Sequence, residues 1–127
     1  MMNEMNKIHT EKAPAAVGPY SQAVEAGGMI YTSGQIPLDP ESGQLVDGDI
    51  KQQADRAMKN VIAVLEAAGT SADKVIKTMC FLADMDDFAD FNEIYAGYFT
   101  EKPARSCVAV KSLPKGALCE IEVIAIR

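Results

Sequence analysis

Residues 49–83 read DIKQQADRAMKNVIAVLEAAGTSADKVIKTMCFLA, and the class of fold turns on this stretch. Asp49 can cap a helix, with Gln52 at the reciprocal capping-box position. Ile50, Ala54, Ala57, Val61, Leu65 and Ala68 then recur at spacings of three and four, the period of an amphipathic helix, and Gly69 ends it. Val75–Ala83 is apolar, β-branched at its start, and bounded by Ser71 and Asp73 before and Asp84 after. Its length suits a buried strand near the centre of a sheet.

Toward the N-terminus, Ala23–Ala26 and Met29–Gln35 flank Gly27-Gly28, a pair that tolerates the positive φ of a two-residue turn, so a β-hairpin is expected. Pro37 to Gly48, rich in glycine, proline and acids, reads as a surface loop. Toward the C-terminus, a second helix is expected from about Asp86 to Phe99, with Phe88, Phe91, Tyr95 and Tyr98 on one face packing into the core. Past the Lys102-Pro103 break, Arg105–Val110 reads as a short strand, and Leu118–Ile126 as a longer one after the Leu113-Pro114-Lys115-Gly116 turn. The order is strands, helix, strand, helix, two strands. That predicts an α+β fold with both helices on one face of the sheet, and a right-handed crossover from Met29 to Ala83.

The chain has 127 residues, roughly one domain at the usual scale of about 100 to 200 residues, so 1–127 is expected to form a single domain. With 48% of its residues apolar it needs neither disulfides nor a structural metal to hold a core. Twelve basic against eighteen acidic side chains leave a net charge of −6, which opposes phosphate-led binding and makes nucleic acid a poor partner. Cys80, Cys107 and Cys119 form an odd set without C-x-x-C spacing, which fits a reducing cytoplasm. Met1 to Lys12 is polar throughout, and no apolar run approaches the roughly 18 residues of a membrane span, so no membrane association is expected.

His9 is the only histidine, so a serine triad, a paired-histidine metal site and a zinc deaminase centre all lack parts. There is no P-loop and no G-x-G-x-x-G. Catalysis is left to carboxylates, arginine, tyrosine, hydroxyls, thiols and backbone groups.

Alternation puts Arg105 and Cys107 on one side of their strand, and Glu120 and Glu122 on one side with Leu118, Ile124 and Ile126. A carboxylate on an otherwise apolar strand face costs desolvation energy unless it is paired. Two readings stand. Arg105 pairs structurally with one of these glutamates, or the face is solvated; alternatively, Arg105 takes a substrate carboxylate while a glutamate orients water. Asn92 lies on the aromatic face of the second helix and needs a hydrogen-bond partner, from the backbone or from a ligand. Gly18-Pro19 presents Tyr20 and Ser21, and Thr32-Ser33-Gly34-Gln35 ends a strand with hydroxyls and a glycine that allows close backbone approach. Cys107, without a histidine to activate it, reads as an inert thiol.

Taken together, Ala13-Pro14-Ala15-Ala16-Val17-Gly18-Pro19-Tyr20-Ser21-Gln22, Thr32-Ser33-Gly34-Gln35-Ile36-Pro37, Pro103-Ala104-Arg105-Ser106-Cys107 and Leu113-Pro114-Lys115-Gly116 to Glu120-Ile121-Glu122 closely resemble the Rid (YjgF) family. The resemblance implies a chorismate-mutase-like α+β subunit with a mixed sheet, assembled as a homotrimer with active sites between subunits. It also implies cofactor-free hydrolysis of 2-imino acids, such as 2-iminobutanoate and 2-iminopropanoate released by pyridoxal-phosphate dehydratases, to 2-keto acids and ammonia. Position by position, the carboxylate-binding arginine matches Arg105, its strand neighbour Cys107, and the water-orienting glutamate Glu120. The pocket tyrosine, serine and asparagine match Tyr20, Ser33 and Asn92, with Gly34 beside the serine. The connection Thr100-Glu101-Lys102-Pro103 is shorter than in several relatives. The resemblance also brings two alternatives, a sensor or redox-triggered chaperone using the same cleft, and a ribonuclease. The net charge of −6 argues against the last.

Overall fold

In the computed structural model, which describes residues 4–127, the chain opens with β1 (Asn6–Ile8), antiparallel to β2 (Ala23–Ala26). Met1–Asn3, the start of the polar N-terminal stretch, lie outside the described residues. Gly27 and Gly28 take φ of 57° and 79°, the pair of positive values a tight two-residue turn requires, and so join β2 to β3 (Met29–Thr32) in the expected hairpin. β3 is shorter than the sequence suggested. Ser33 keeps one bond, its N–H donating to Gln22 O at 2.9 Å, the regular strand stops there, and past Gly34 Gln35 exchanges two backbone hydrogen bonds with Ile121.

Helix α1 (Ile50–Ala67) starts at the predicted capping box: the Asp49 carboxylate accepts from the Lys51 N–H, and Gln52 Oε1 accepts from the Asp49 N–H, both at 2.9 Å. Its apolar stripe, Ala54, Ala57, Met58, Val61, Val64 and Leu65, is fully buried. Burial of each large member contributes roughly 1.5–3 kcal/mol. Strand β4 (Val75–Leu82) follows. The second helix begins later than expected, because Asp84 caps a single 3-10 turn at Met85–Asp87, and α2 runs Phe88–Tyr98. Phe91 and Tyr95 of its aromatic face enter the core, whereas Phe88 and Tyr98 are only partly covered. Tyr98 Oη donates to Asp55 Oδ1 at 2.5 Å and ties α2 to α1. Strands β5 (Ala104–Ala109) and β6 (Cys119–Ile126) complete the sheet.

The strand order is β1-β2-β3-β6-β4-β5, with β4 and β5 parallel and the other pairs antiparallel. Both helices lie on one face, α1 against β6 and against α2, giving the expected α+β class with a mixed sheet. β6 buries Cys119, Ile121, Val123 and Ala125 beneath the helices. Glu120, Glu122 and Ile124 therefore point to the other face, beside Phe81 and Met79 of β4, and no helix covers them. The two glutamates thus interrupt the side of β6 that faces away from the helices, an arrangement the alternation had left open. Strand β5 lies at the sheet edge, with Val108 45% exposed. No helix is long and apolar enough to cross a membrane among the described residues.

Candidate active site

Parallel pairing of Thr78 with Arg105, and of Cys80 with Cys107, turns both β5 side chains toward the helices. The Arg105 guanidinium carbon lies 4.6 Å from the Tyr95 ring centroid and 5.5 Å from that of Phe88. Its Nη1 donates to Asn92 Oδ1 at 2.7 Å. Tyr95 is itself anchored, its hydroxyl 2.7 Å from Thr78 Oγ1 in the core. One hydrogen bond and two rings thus aim a planar cation that has no carboxylate partner among the described residues. The question left open for Asn92 is answered as well: its partner is the arginine, not the backbone.

Asn92, Tyr95, Phe99, Lys102 and Arg105 line a cavity of about 470 Å³. Cys107 stands two residues further along the same side of β5, and burial pushes its thiol up despite the nearby guanidinium. Burial pushes the thiol of its register neighbour Cys80 up to about 12. Neither is a ready nucleophile.

A second group gathers around Glu120. Its cavity, about 650 Å³, is lined by Tyr20, Ser33, Gly34, Ile36, Lys115 and Glu120 among others. Gly34 lets the carboxylate come close: a Cβ there would sit 1.9 Å from Glu120 Oε2 and 2.7 Å from its Cδ, so the carboxylate occupies the space a side chain would take. The break in β3 at Ser33-Gly34 makes that approach possible. Burial first, and the negative charge of Glu122 second, raise the Glu120 carboxyl above its ordinary range. Ser33 Oγ donates to Ser21 O at 2.6 Å, so toward a ligand it is left as an acceptor. Tyr20 is half-exposed at the rim.

Arg105 and Glu120 therefore do not meet within one chain. Arg105 faces the helices, Glu120 faces the uncovered side of the sheet, and each lines its own cavity. Within one chain this topology rules out a structural ion pair between them. Arg105, Asn92 and Cys107 form one candidate half-site; Tyr20, Ser33, Gly34 and Glu120 form the other. Among the described residues no group of three or more His, Cys, Asp and Glu side chains is placed to hold a metal.

The model for the family described as Endoribonuclease L-PSP matches residues 10–127. The chain belongs to this family, the Rid family. It is 52% identical over 121 residues to 2-iminobutanoate/2-iminopropanoate deaminase of Mus musculus, covering 94% of this chain and 90% of that protein. A protein of the same name from Salmonella typhimurium is 49% identical over 124 residues, covering 94% and 96%. The crystal structure of the Rid family protein YyfA from Yersinia pestis superposes with a TM-score of 0.95 at 49% identity, covering 98% of this chain and all of that one. Other Rid relatives carry only the name RutC family protein.

Two buried amides that sequence reasoning passed over hold the walls of the Glu120 cavity. Gln22 Nε2 donates to the carbonyls of Thr10, Ala13 and Pro14, and its Oε1 accepts from the Thr10 N–H at 2.7 Å. Asn60, fully buried on α1, donates to the carbonyls of Ile36 and Leu38 and accepts from Arg56. Asn60 left a signal: a polar residue one position before Val61, against the buried stripe. Gln22 left none, because a glutamine at a strand start is ordinary.

Proposed function

We propose that the protein hydrolyses 2-imino acids to 2-keto acids and ammonia, as one Rid-like unit spanning 1–127, in a cleft between two copies of the chain within a homotrimer. The observation that carries the reading is Arg105, a guanidinium oriented by Asn92 and Tyr95 and given no anion of its own. A planar fork so held suits a carboxylate bidentately. The deaminase names of relatives at about half identity support the same chemistry. The separation of the two half-sites on opposite faces of the sheet supports a second copy, as do the edge position of β5 and the uncovered apolar side chains Phe81 and Met79.

In this mechanism Arg105 of one copy binds the α-carboxylate, with the backbone near Cys107 beside it. Glu120 of the other copy holds a water against the imine carbon. Water adds to that carbon while one of its protons passes through the Glu120 carboxyl to the nitrogen, giving a carbinolamine; the hydroxyl proton then follows the same route to the nitrogen as the C–N bond breaks, the carbonyl forms and ammonia leaves. A carboxyl whose affinity for the proton is raised by burial suits both halves of that transfer. Ser33, with its proton engaged by Ser21, accepts from the imine N–H, and Tyr20 closes the rim. Neither metal nor cofactor enters. Free cysteines at 80, 107 and 119 suit a reducing cytoplasm.

The test generates 2-iminobutanoate and 2-iminopropanoate in place with a dehydratase acting on threonine and serine, traps the remaining imine with semicarbazide, and measures whether the protein lowers the trapped fraction. A trapped fraction equal to the protein-free control refutes the proposal. Light scattering tests the assembly: a stable monomer that clears imines as fast as any larger species removes the two-copy site. A sensor role predicts keto-acid binding that survives Glu120→Gln without any imine clearance, and a ribonuclease role predicts RNA cleavage by the metal-free protein.

A further inference from the structure

The cavity beside Arg105 is lined by a second cationic residue, which a four-carbon monocarboxylate does not use. Lys102 lines it with Arg105, and Tyr95, Ala96 and Phe99 form an apolar wall. In a chain with a net charge of −6, neither cation has an ion-pair partner among the described residues. Lys102 also sits in an unusual backbone state, with φ of 55°. Proline pushes the residue before it toward extended backbone with negative φ, yet Lys102 directly precedes Pro103. Its N–H donates to Phe99 O at 3.2 Å, closing a turn just past α2. A glycine would take this conformation at no steric cost; the residue here is a lysine, whose exposed cationic side chain belongs to the cavity lining.

We infer that the Arg105 cavity favours 2-imino dicarboxylates, the fork of Arg105 taking the α-carboxylate and the ammonium of Lys102 the distal one. The inference rests on the proposed deaminase reading and deepens it. Arginine offers a rigid pair of donors that matches one carboxylate, whereas lysine is a point charge on a flexible stem, able to follow a second carboxylate one or two methylenes away. The methylenes would lie on the apolar wall, and a cavity of about 470 Å³ is large enough for a small ligand. The chemistry is unchanged: water adds at the imine carbon, ammonia leaves, and a 2-keto dicarboxylate remains. A lysine that merely offsets the negative end of α2 would contribute to stability without distinguishing substrates.

The experiment compares 2-iminoglutarate, made in place from glutamate by a glutamate oxidase with catalase present, with 2-iminobutanoate made from threonine by a dehydratase. The parent protein is expected to clear both. Lys102→Ala is expected to lower kcat/KM for 2-iminoglutarate at least tenfold, mainly through KM, and for 2-iminobutanoate less than twofold. Lys102→Arg should keep most of the dicarboxylate rate. Clearance of 2-iminobutanoate but not 2-iminoglutarate by the parent overturns this inference and leaves the deaminase reading standing. Equal losses on both imines with a lowered Tm also overturn it, making Lys102 a support of the turn. If neither imine is cleared, the deaminase reading falls and this inference with it.

Discussion

Replacing Gly34 with alanine tests the geometry of the Glu120 half-site directly. Gly34 has no positive φ, so alanine brings no backbone strain, and the whole perturbation is the methyl group. That methyl would stand 1.9 Å from Glu120 Oε2, so the carboxylate must retreat by about 1.5 Å to reach ordinary van der Waals separation. A misplacement of about 1 Å at a reacting group costs on the order of a hundredfold in rate. The expected fall in kcat/KM is therefore about a hundredfold, or about 2.7 kcal/mol of transition-state stabilisation. Because the displaced group is the end of a flexible, half-buried side chain, the fold should survive with little change in Tm. The discriminating measurement is a double-mutant cycle by semicarbazide competition. In a Glu120→Ala background the obstructing carboxylate is gone, and Gly34→Ala should cost less than about threefold more. A parental rate for Gly34→Ala refutes the positioning role, and an equal loss in both backgrounds refutes its route through Glu120.

Arg105→Lys keeps the charge but loses the fork, and should lower kcat/KM about tenfold to a thousandfold, or roughly 1.4 to 4 kcal/mol; weakened ring contacts should cost only about 0.5 to 1 kcal/mol of stability by denaturant titration. In the proposed mechanism Glu120 acts on water in its ionised form, so kcat/KM should fall as pH drops through its raised pKa; Glu122→Gln removes the like charge and should move that acid limb to lower pH. An unmoved limb would assign the titration to another group. Gln22→Met strands the carbonyls of Thr10, Ala13 and Pro14, and should cost about 2 to 4 kcal/mol in urea unfolding. Cys107→Ser should keep most of the activity, and a covalent adduct on Cys107 trapped during turnover would contradict the water mechanism.

Local periodicity was enough for most elements. The capping box at Asp49 and Gln52, the stripe from Ile50 to Leu65, the Gly27-Gly28 turn and the buried strand from Val75 are all written in neighbouring residues, whose spacing and turn chemistry act over a few positions. The candidate residues were legible singly, Arg105 and Glu120 because each breaks the apolar pattern of its strand, Ser33 and Gly34 only through the family resemblance. Their grouping was not. Alternation says which residues share a side of one strand, but which side meets the helices depends on strand order and register across the sheet. β6 lies between β3 and β4, and β5 runs parallel to β4 at the edge. Those pairings put Arg105 beneath α2 and Glu120 on the uncovered face, and so keep apart within one chain two groups that alternation alone left free to pair. The close approach of Gly34 to Glu120, 86 positions apart in the chain (120 − 34), likewise exists only because the sheet brings Gln35 against Ile121. Elements and available chemical groups could be read from neighbouring residues, because both are local properties. Which groups face one another follows from long-range pairing, and that is set by the folded sheet.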